Sequence, residues 1–313
     1  MNDHAFEAAL SPLGRLKRAE PLGHHTTFGV GGPADWFLVV RERETLIAAV
    51  RAARRFAVPY LLVSGGSNML ASDAGFRGLV IDNRTHHIDV LPDDTARRQR
   101  CLEADAGVSL ATLAHRATRL GLTGLEWAAG IPGSVGGGIL FNAGAHGHTL
   151  SEVLDAAQVL ETDLEVRWLP AGQLDLEYRA STISREAPPG ALRRLVCAAR
   201  FQLDPDEPAA IRARVLAFNA HRRRTQPAQA SAGSVFKNPP GTFAGALVEQ
   251  AGLKGARRGG AQISERHANF IVNTGGATAS DVMALVHLAQ QRVRDQHGIQ
   301  LELEFELVGE WPS

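Results

Sequence analysis

The sequence predicts a mixed fold, α/β or α+β, spread over two or three domains. Three observations carry that prediction. The chain has 313 residues, about twice the usual length of one domain. Hydrophobic residues make up 44% and charged residues 21%, an ordinary globular balance that argues against a disordered or fibrous chain. From residue 20 onward, short apolar runs alternate with amphipathic helical stretches, a pattern that needs crossover connections.

The elements follow in order. Residues 36–40 read as a strand, 44–56 as a helix, and 60–63 as a strand emptying into Ser64-Gly65-Gly66-Ser67-Asn68. A further strand is expected at 78–82. The next zone opens with a strand at 100–104, and Ser109 caps a helix that runs to Leu120 and stops at Gly121. Then comes Gly130-Ile131-Pro132-Gly133-Ser134-Val135-Gly136-Gly137-Gly138, with Gly144 and Gly147 beyond it. Strands are expected at 153–160, 165–169 and 192–201. Asp204-Pro205-Asp206-Glu207-Pro208 suits a domain boundary and a helix start, with Ile211, Val215 and Phe218 on one face of that helix. Thr278 caps a later helix whose apolar face is Val282, Leu285, Val286, Ala289 and Val293, ended by Gly298. The last stretch reads as one continuous strand. Leu301, Leu303, Phe305 and Leu307 face one way, and Glu302, Glu304 and Glu306 the other.

Charge and cysteine content narrow the function. Lys+Arg and Asp+Glu are both 33, a net charge of zero, so the basic excess of a nucleic-acid or anionic-membrane binder is missing. Cys101 and Cys197 are too few for a disulfide framework and have no CxxC spacing. No apolar run reaches the ~18 residues of a membrane span, and no basic segment followed by an apolar one opens the sequence. The expectation is a cytoplasmic protein that inserts in no membrane, binds no nucleic acid and holds no metal.

Glycine is the anomaly, at 32 residues, and its placement matters more than its total. Two clusters carry small polar side chains: Ser64, Ser67 and Asn68 in one, Ser134 and Asn142 in the other. Glycine permits φ > 0 and close backbone approach, so successive N–H groups can form an anion nest suited to a diphosphate. A pair of tight turns is the competing reading. Gly29-Val30-Gly31-Gly32 lacks the GxGxxG spacing and no GK[ST] occurs, so a dinucleotide would bind on neither a Rossmann nor a P-loop scaffold.

At this point six motifs resemble one family in its order. They are Thr27-Phe28-Gly29-Val30-Gly31-Gly32-Pro33-Ala34, Ser64-Gly65-Gly66-Ser67-Asn68, Gly130-Ile131-Pro132-Gly133-Ser134-Val135-Gly136-Gly137, Tyr178-Arg179-Ala180-Ser181, Ala232-Gly233-Ser234-Val235-Phe236-Lys237-Asn238-Pro239 and the Glu304 strand. Over residues 20–310 the chain is similar to the UDP-N-acetylenolpyruvoylglucosamine reductases. The resemblance implies an α+β fold, with a two-part FAD-binding domain of the vanillyl-alcohol oxidase type and a C-terminal α+β substrate domain. The expected division is an extension at 1–19, FAD-binding parts at 20–85 and 86–203, and a substrate-binding domain at 204–313.

The resemblance also implies a chemistry, a step in peptidoglycan precursor synthesis. FAD bound non-covalently takes hydride from the co-substrate NADPH, and an enolpyruvyl ether of a UDP-sugar is reduced to a lactyl ether. A proton donor and charge stabilisation are then needed beside a carboxylate. By resemblance Ser234 is that donor, Arg179 pairs with the carboxylate, and Glu304 helps stabilise the enol. Without the family, these would read as a turn serine, a surface arginine and one of three glutamates on a solvated strand face. Ser64, Gly65, Gly66, Ser67, Asn68, Gly130, Ile131, Pro132, Gly133, Ser134, Gly137, Gly138 and Asn142 are the expected cofactor contacts. Tyr178, Lys237 and Asn238 are the expected substrate contacts. His267 competes with a turn histidine, and Arg222-Arg223-Arg224 with a solvated helix end. Between Tyr178 and Arg222 no tyrosine occurs, which matches the family's short branch without an extra tyrosine lid. Thr225-Gln226-Pro227 stands where some members have a lysine. The expected assembly is a monomer.

Overall fold

The computed structural model describes residues 3–92, 99–186 and 193–311. The chain forms two compact units that interleave in sequence. One holds Met1–Lys17, Phe37–Ser64 and Leu79–Arg222, the other Arg18–Trp36, Gly65–Gly78 and Arg223–Ser313. The fold is α+β.

In the first unit, helix Arg43–Arg55 precedes strand Tyr60–Val63. Leu46, Ala49, Val50 and Ala53 of that helix are buried, the i, i+3, i+4, i+7 spacing of a core-facing stripe. Tyr60–Val63 pairs in parallel with Phe76–Asn83, from Tyr60 opposite Leu79 to Val63 opposite Asp82. The run Leu79, Val80, Ile81 is fully buried, as parallel strands covered on both faces require. Phe6 of helix Asp3–Leu10 packs on Phe56 with ring centroids 5.6 Å apart.

The same unit carries an antiparallel sheet ordered Val166–Pro170, Leu154–Leu160, Leu195–Pro205, Arg100–Asp105, Ile88–Val90, with Leu122–Thr123 added to the long central strand. Leu192, where that central strand was expected to begin, lies outside the described residues. Helix Leu110–Arg119 has the expected cap: Ser109 Oγ accepts from Thr112 N at 3.0 Å. Its Leu110, Leu113, Ala114 and Ala117 join Leu102, Ala104, Trp127, Ile139, Val159 and Phe201 in one core. Helix Pro208–Thr225 adds Ile211 and Val215 as buried residues, with Phe218 partly buried against the same core.

In the second unit, strands Arg257–Arg258, Ala261–Ile263 and Ile271–Asn273 form an antiparallel sheet. Helix Ala279–His297 has a capping box of Thr278 and Asp281, and Gly298 ends it in the left-handed conformation. All five apolar positions expected on its inner face are buried. Asp73 also caps this helix, accepting from Ala279 N at 2.8 Å and Ser280 N at 2.9 Å.

The C-terminal strand differs from expectation. Only Glu306–Val308 is a strand, paired in parallel with Met69–Ala71. Leu303 makes an isolated bridge to Phe236 instead. The buried positions are Leu301, Phe305 and Val308, not every second residue, because the segment changes partner partway and the alternation breaks there.

Candidate functional site

Strand Tyr60–Val63 runs out at Ser64, whose Oγ donates to Asn83 O at 3.1 Å. Gly65 and Gly66 follow with φ of +74° and +54°, a conformation that side chains with a Cβ resist. A Cβ on Gly66 would lie 2.5 Å from His25 O and 2.8 Å from Thr26 Cα, whereas one on Gly65 would meet nothing within 4 Å. The turn is held from Thr27, whose N donates to Gly66 O at 3.1 Å. Among the described residues, the N–H groups of Gly65, Gly66 and Ser67 take no acceptor. Successive N–H groups left open in such a turn can form an anion nest.

The second cluster follows a short 3₁₀ turn, Glu126–Gly130, rather than a strand. A Cβ on Gly130 would strike Asn219 Oδ1 at 2.2 Å. Gly133 has φ +126°, and Ser134 caps the short helix Val135–Leu140. Here the structure narrows the donor set. Ile131 N donates to Ala128 O, Gly136 N to Ala106 O, Gly137 N to Ser134 Oγ and Gly138 N to Ser134 O. Pro132 has no N–H. The N–H groups of Gly133 and Ser134 remain without an acceptor among the described residues. Gly138 is glycine for packing, since a Cβ there would lie 2.7 Å from Leu150 Cδ1.

Asn142, an expected cofactor contact, has its side chain engaged within the chain. Its Nδ2 donates to Glu177 O at 3.1 Å and its Oδ1 accepts from Ser151 N at 3.1 Å. It is buried at φ +41°, so its carboxamide ties down the segment that carries Arg179. Glu177 and Ala180 close a tight turn by mutual backbone bonds. Tyr178 is exposed at its tip, and Arg179 sits at φ +57°, an uncommon conformation for a residue with a Cβ. The Arg179 guanidinium lies 5.6 Å from the Tyr178 ring centroid, and its Nη2 donates to Gly144 O at 3.2 Å. Ser181, fully buried, donates to Leu140 O at 2.8 Å.

In the second unit, Gly233 at φ +81° leads into Ser234. The segment after it is gripped on both edges. On one side Asn269 accepts from Val235 N through its carbonyl (2.8 Å) and from Phe236 N through Oδ1 (2.9 Å), and its Nδ2 donates to Phe236 O (2.8 Å). On the other side Glu304 N donates to Val235 O at 2.8 Å, and Lys237 N to Glu302 O at 2.9 Å. Asn68 Nδ2 reaches Glu304 O at 3.4 Å. The structure thus brings Ser234, Glu304, Asn68 and Lys237 into one neighbourhood. Lys237 Nζ is 3.4 Å from Glu302 Oε2. Asn238 Oδ1 accepts from Ala244 N, at the start of helix Ala244–Gln250.

Sequence reasoning missed Asn269. Its position in Arg266-His267-Ala268-Asn269 carries no signal until the chain is folded. His267 is packed edge-on against Phe270 at 5.0 Å, and burial pulls its imidazole below the ordinary range. Arg222 is half-buried, unlike its exposed neighbours Arg223 and Arg224, so it is no part of a solvated helix end. Among the described residues no group of three or more His, Cys, Asp or Glu is placed to hold a metal. No helix there is long and apolar enough to cross a membrane.

The chain is similar to known proteins along nearly all its length. Residues 226–308 match the C-terminal domain of UDP-N-acetylenolpyruvoylglucosamine reductase, and residues 34–169 match an FAD binding domain. UDP-N-acetylenolpyruvoylglucosamine reductase 2 of Symbiobacterium thermophilum is 42% identical over 96% of this chain and 94% of its own. The reductase of Bacillus velezensis is 38% identical over 95% of each. The crystal structure of UDP-N-acetylenolpyruvylglucosamine reductase (MurB) from Thermus caldophilus superposes with a TM-score of 0.76 at 36% identity, covering 94% of this chain and 99% of that one.

Proposed function

This chain belongs to the UDP-N-acetylenolpyruvoylglucosamine reductase family, and from that premise we propose that it reduces UDP-N-acetylglucosamine enolpyruvate to UDP-N-acetylmuramate, with FAD bound non-covalently and NADPH as reductant. The observation that carries the reading is the pairing of the Ser234 and Glu304 segments, inside the residues that match the reductase's C-terminal domain. The reaction belongs to peptidoglycan precursor synthesis. We read the protein as a cytoplasmic monomer with three functional parts, at 20–85, 86–203 and 204–313.

The residues present fit a flavin nucleotide. The Gly65–Ser67 nest has open space where a Cβ would stand at Gly65, and Gly133 and Ser134 offer two further N–H donors. These groups, with Ser64, Asn68, Gly130, Ile131 and Pro132 shaping the turns, would hold the cofactor. Backbone dipoles of these turns meet its diphosphate, which calls for no overall basic excess in a chain of zero net charge. Gly137, Gly138 and Asn142 support these turns and the Arg179 loop. When bound, FAD supplies the hydride that NADPH provides.

The net reaction adds that hydride and one proton across the enol C=C bond and leaves NADP⁺. Arg179 faces the substrate carboxylate, where a fixed planar charge gains strength as negative charge develops. Its φ of +57° and the ties from Asn142 to Glu177 and from Ser181 to Leu140 hold the loop that presents it. Ser234 protonates the carbon beside the carboxylate, and Glu304 stabilises the enol. Tyr178, Lys237 and Asn238 contact the UDP-sugar.

The test is NADPH oxidation by purified protein with and without the enolpyruvyl substrate, with the flavin absorption bands recorded first. A flavin spectrum and strongly substrate-dependent oxidation support the reading. Equal rates with and without substrate would leave only a generic flavoenzyme, and a protein that stays colourless after added FAD would overturn the flavin reading as well.

A further inference from the structure

Helix Pro208–Thr225 buries Ile211 and packs Val215 and Phe218 on the first unit's core, and Arg222 falls on the same i, i+4, i+7, i+11 stripe. A guanidinium therefore stands where the pattern calls for an apolar side chain. Arg223 and Arg224 beside it are exposed, while Arg222 is half-buried. Among the described residues no hydrogen bond, ion pair or ring contact engages the Arg222 side chain. A half-buried arginine without an acid is a costly arrangement unless an anion arrives from outside the chain.

Its surroundings are basic and shaped. The Arg222 stem lies against Gly130, where a Cβ would come within 3.4 Å of Cδ, and Asn219 closes on the same glycine. His146, at φ +57° in the turn joining Gly144–Ala145 to His148–Thr149, stacks on Phe218 with centroids 4.6 Å apart. His221 meets His146 edge-on at 5.3 Å. Burial, together with the positive charges of His221, Arg222 and His148, holds the His146 imidazole below its ordinary range. Gly144 in the same hairpin accepts from Arg179.

We propose that Arg222, walled by His146 and His221, is the fixed charge of a subsite for the diphosphate of a bound nucleotide. Its chemistry is shared by FAD and by the UDP-sugar. The proposal rests on the nucleotide-binding reading above.

The experiment compares wild type with Arg222→Met and Arg222→Lys. Apoprotein is titrated with FAD by flavin fluorescence, and flavin-loaded protein with UDP by calorimetry, each at low and raised salt. Arg222→Met is expected to weaken one nucleotide about tenfold or more and to flatten the salt dependence of its binding, with Arg222→Lys recovering part of the loss. The nucleotide affected identifies the source of the diphosphate. Inorganic pyrophosphate should compete for the same nucleotide on wild-type protein, which keeps the test open should Arg222→Met not fold. Unchanged affinities for both nucleotides in a folded variant, or no competition by pyrophosphate, would overturn the subsite alone. Wild-type protein that binds neither nucleotide would overturn the nucleotide reading with it.

Discussion

Glu304 N donates to Val235 O at 2.8 Å, so the glutamate assigned to the enol and the serine assigned to the proton sit on adjoining backbones of one unit. Gly233 at φ +81° lets the chain turn into Ser234 just before that pairing begins. Placement of a proton donor within hydrogen-bond reach is worth about 10²–10⁴ in rate. Ser234→Ala removes the hydroxyl without touching any of the bonds that fix the loop. In stopped-flow absorbance, flavin reduction by NADPH should proceed as in wild type, while reoxidation by the enolpyruvyl substrate falls within that range. Normal reoxidation in this variant would remove Ser234 from the mechanism.

Asn269 is the other wall of the loop. Three hydrogen bonds from one buried residue reach Val235 and Phe236. In Asn269→Asp the Nδ2 donor becomes a carboxylate oxygen facing Phe236 O, and a buried acceptor loses its partner at a cost of about 1–3 kcal/mol. Denaturant unfolding should report that loss, and reoxidation by substrate should slow more than reduction by NADPH. A variant with wild-type stability and wild-type rates in both half-reactions would mean that Asn269 does not hold the loop.

What could be read before folding, and what could not, divides along physical lines. Helix Ala279–His297 was legible because its stripe, its Thr278 cap and its Gly298 stop are local signals. The helix capped by Ser109 was legible for the same reason. The C-terminal strand was misread because its alternation is local, whereas its partners are the distant segments at Phe236 and Met69. The glycine clusters stood out in the sequence. Which N–H groups they leave open depends on bonds to Ala106, Ala128 and Ser134 that only the fold reveals. Asn142, Arg222 and Asn269 share that history: each acquires its role from a tertiary contact.

Gly65 and Gly66 separate two reasons for glycine. Both have positive φ, but only at Gly66 would a Cβ run into backbone, 2.5 Å from His25 O. Gly65→Ala should cost about 1–2 kcal/mol, the left-handed penalty alone, and place a methyl group in the open space assigned to the cofactor. Gly66→Ala adds a clash that the chain at His25–Thr26 must move to relieve, so its loss should be larger. Thermal unfolding of the apoproteins ranks the two, and flavin content measures the cradle. Gly65→Ala with full flavin occupancy would show that the nest lies away from the cofactor.

Glu126 couples acid stability to the second glycine cluster. It is 6% exposed, and burial alone would raise its pKa. Hydrogen bonds from Thr123 Oγ1 (2.7 Å), the backbone N–H groups of Glu126 and Gly124, and Arg214 (2.9 Å) outweigh that and hold it below the usual carboxylate range. Arg214 lies on helix Pro208–Thr225, so this pair fastens that helix to the turn leading into Gly130. The sign follows directly. A carboxylate with a depressed folded pKa stabilises fully above its unfolded value, about 4.3, and loses that contribution as pH falls through the lower folded value. Glu126→Gln removes the charge and turns an amide toward the donors around it, a cost of about 1.5–3 kcal/mol at neutral pH for hydrogen bonds to a charged group. Urea unfolding across pH should therefore show a gap between wild type and variant that is constant near neutrality and narrows below about pH 4. A gap that stays constant through that acid range would mean that the loss arises from packing rather than from the carboxylate's charge.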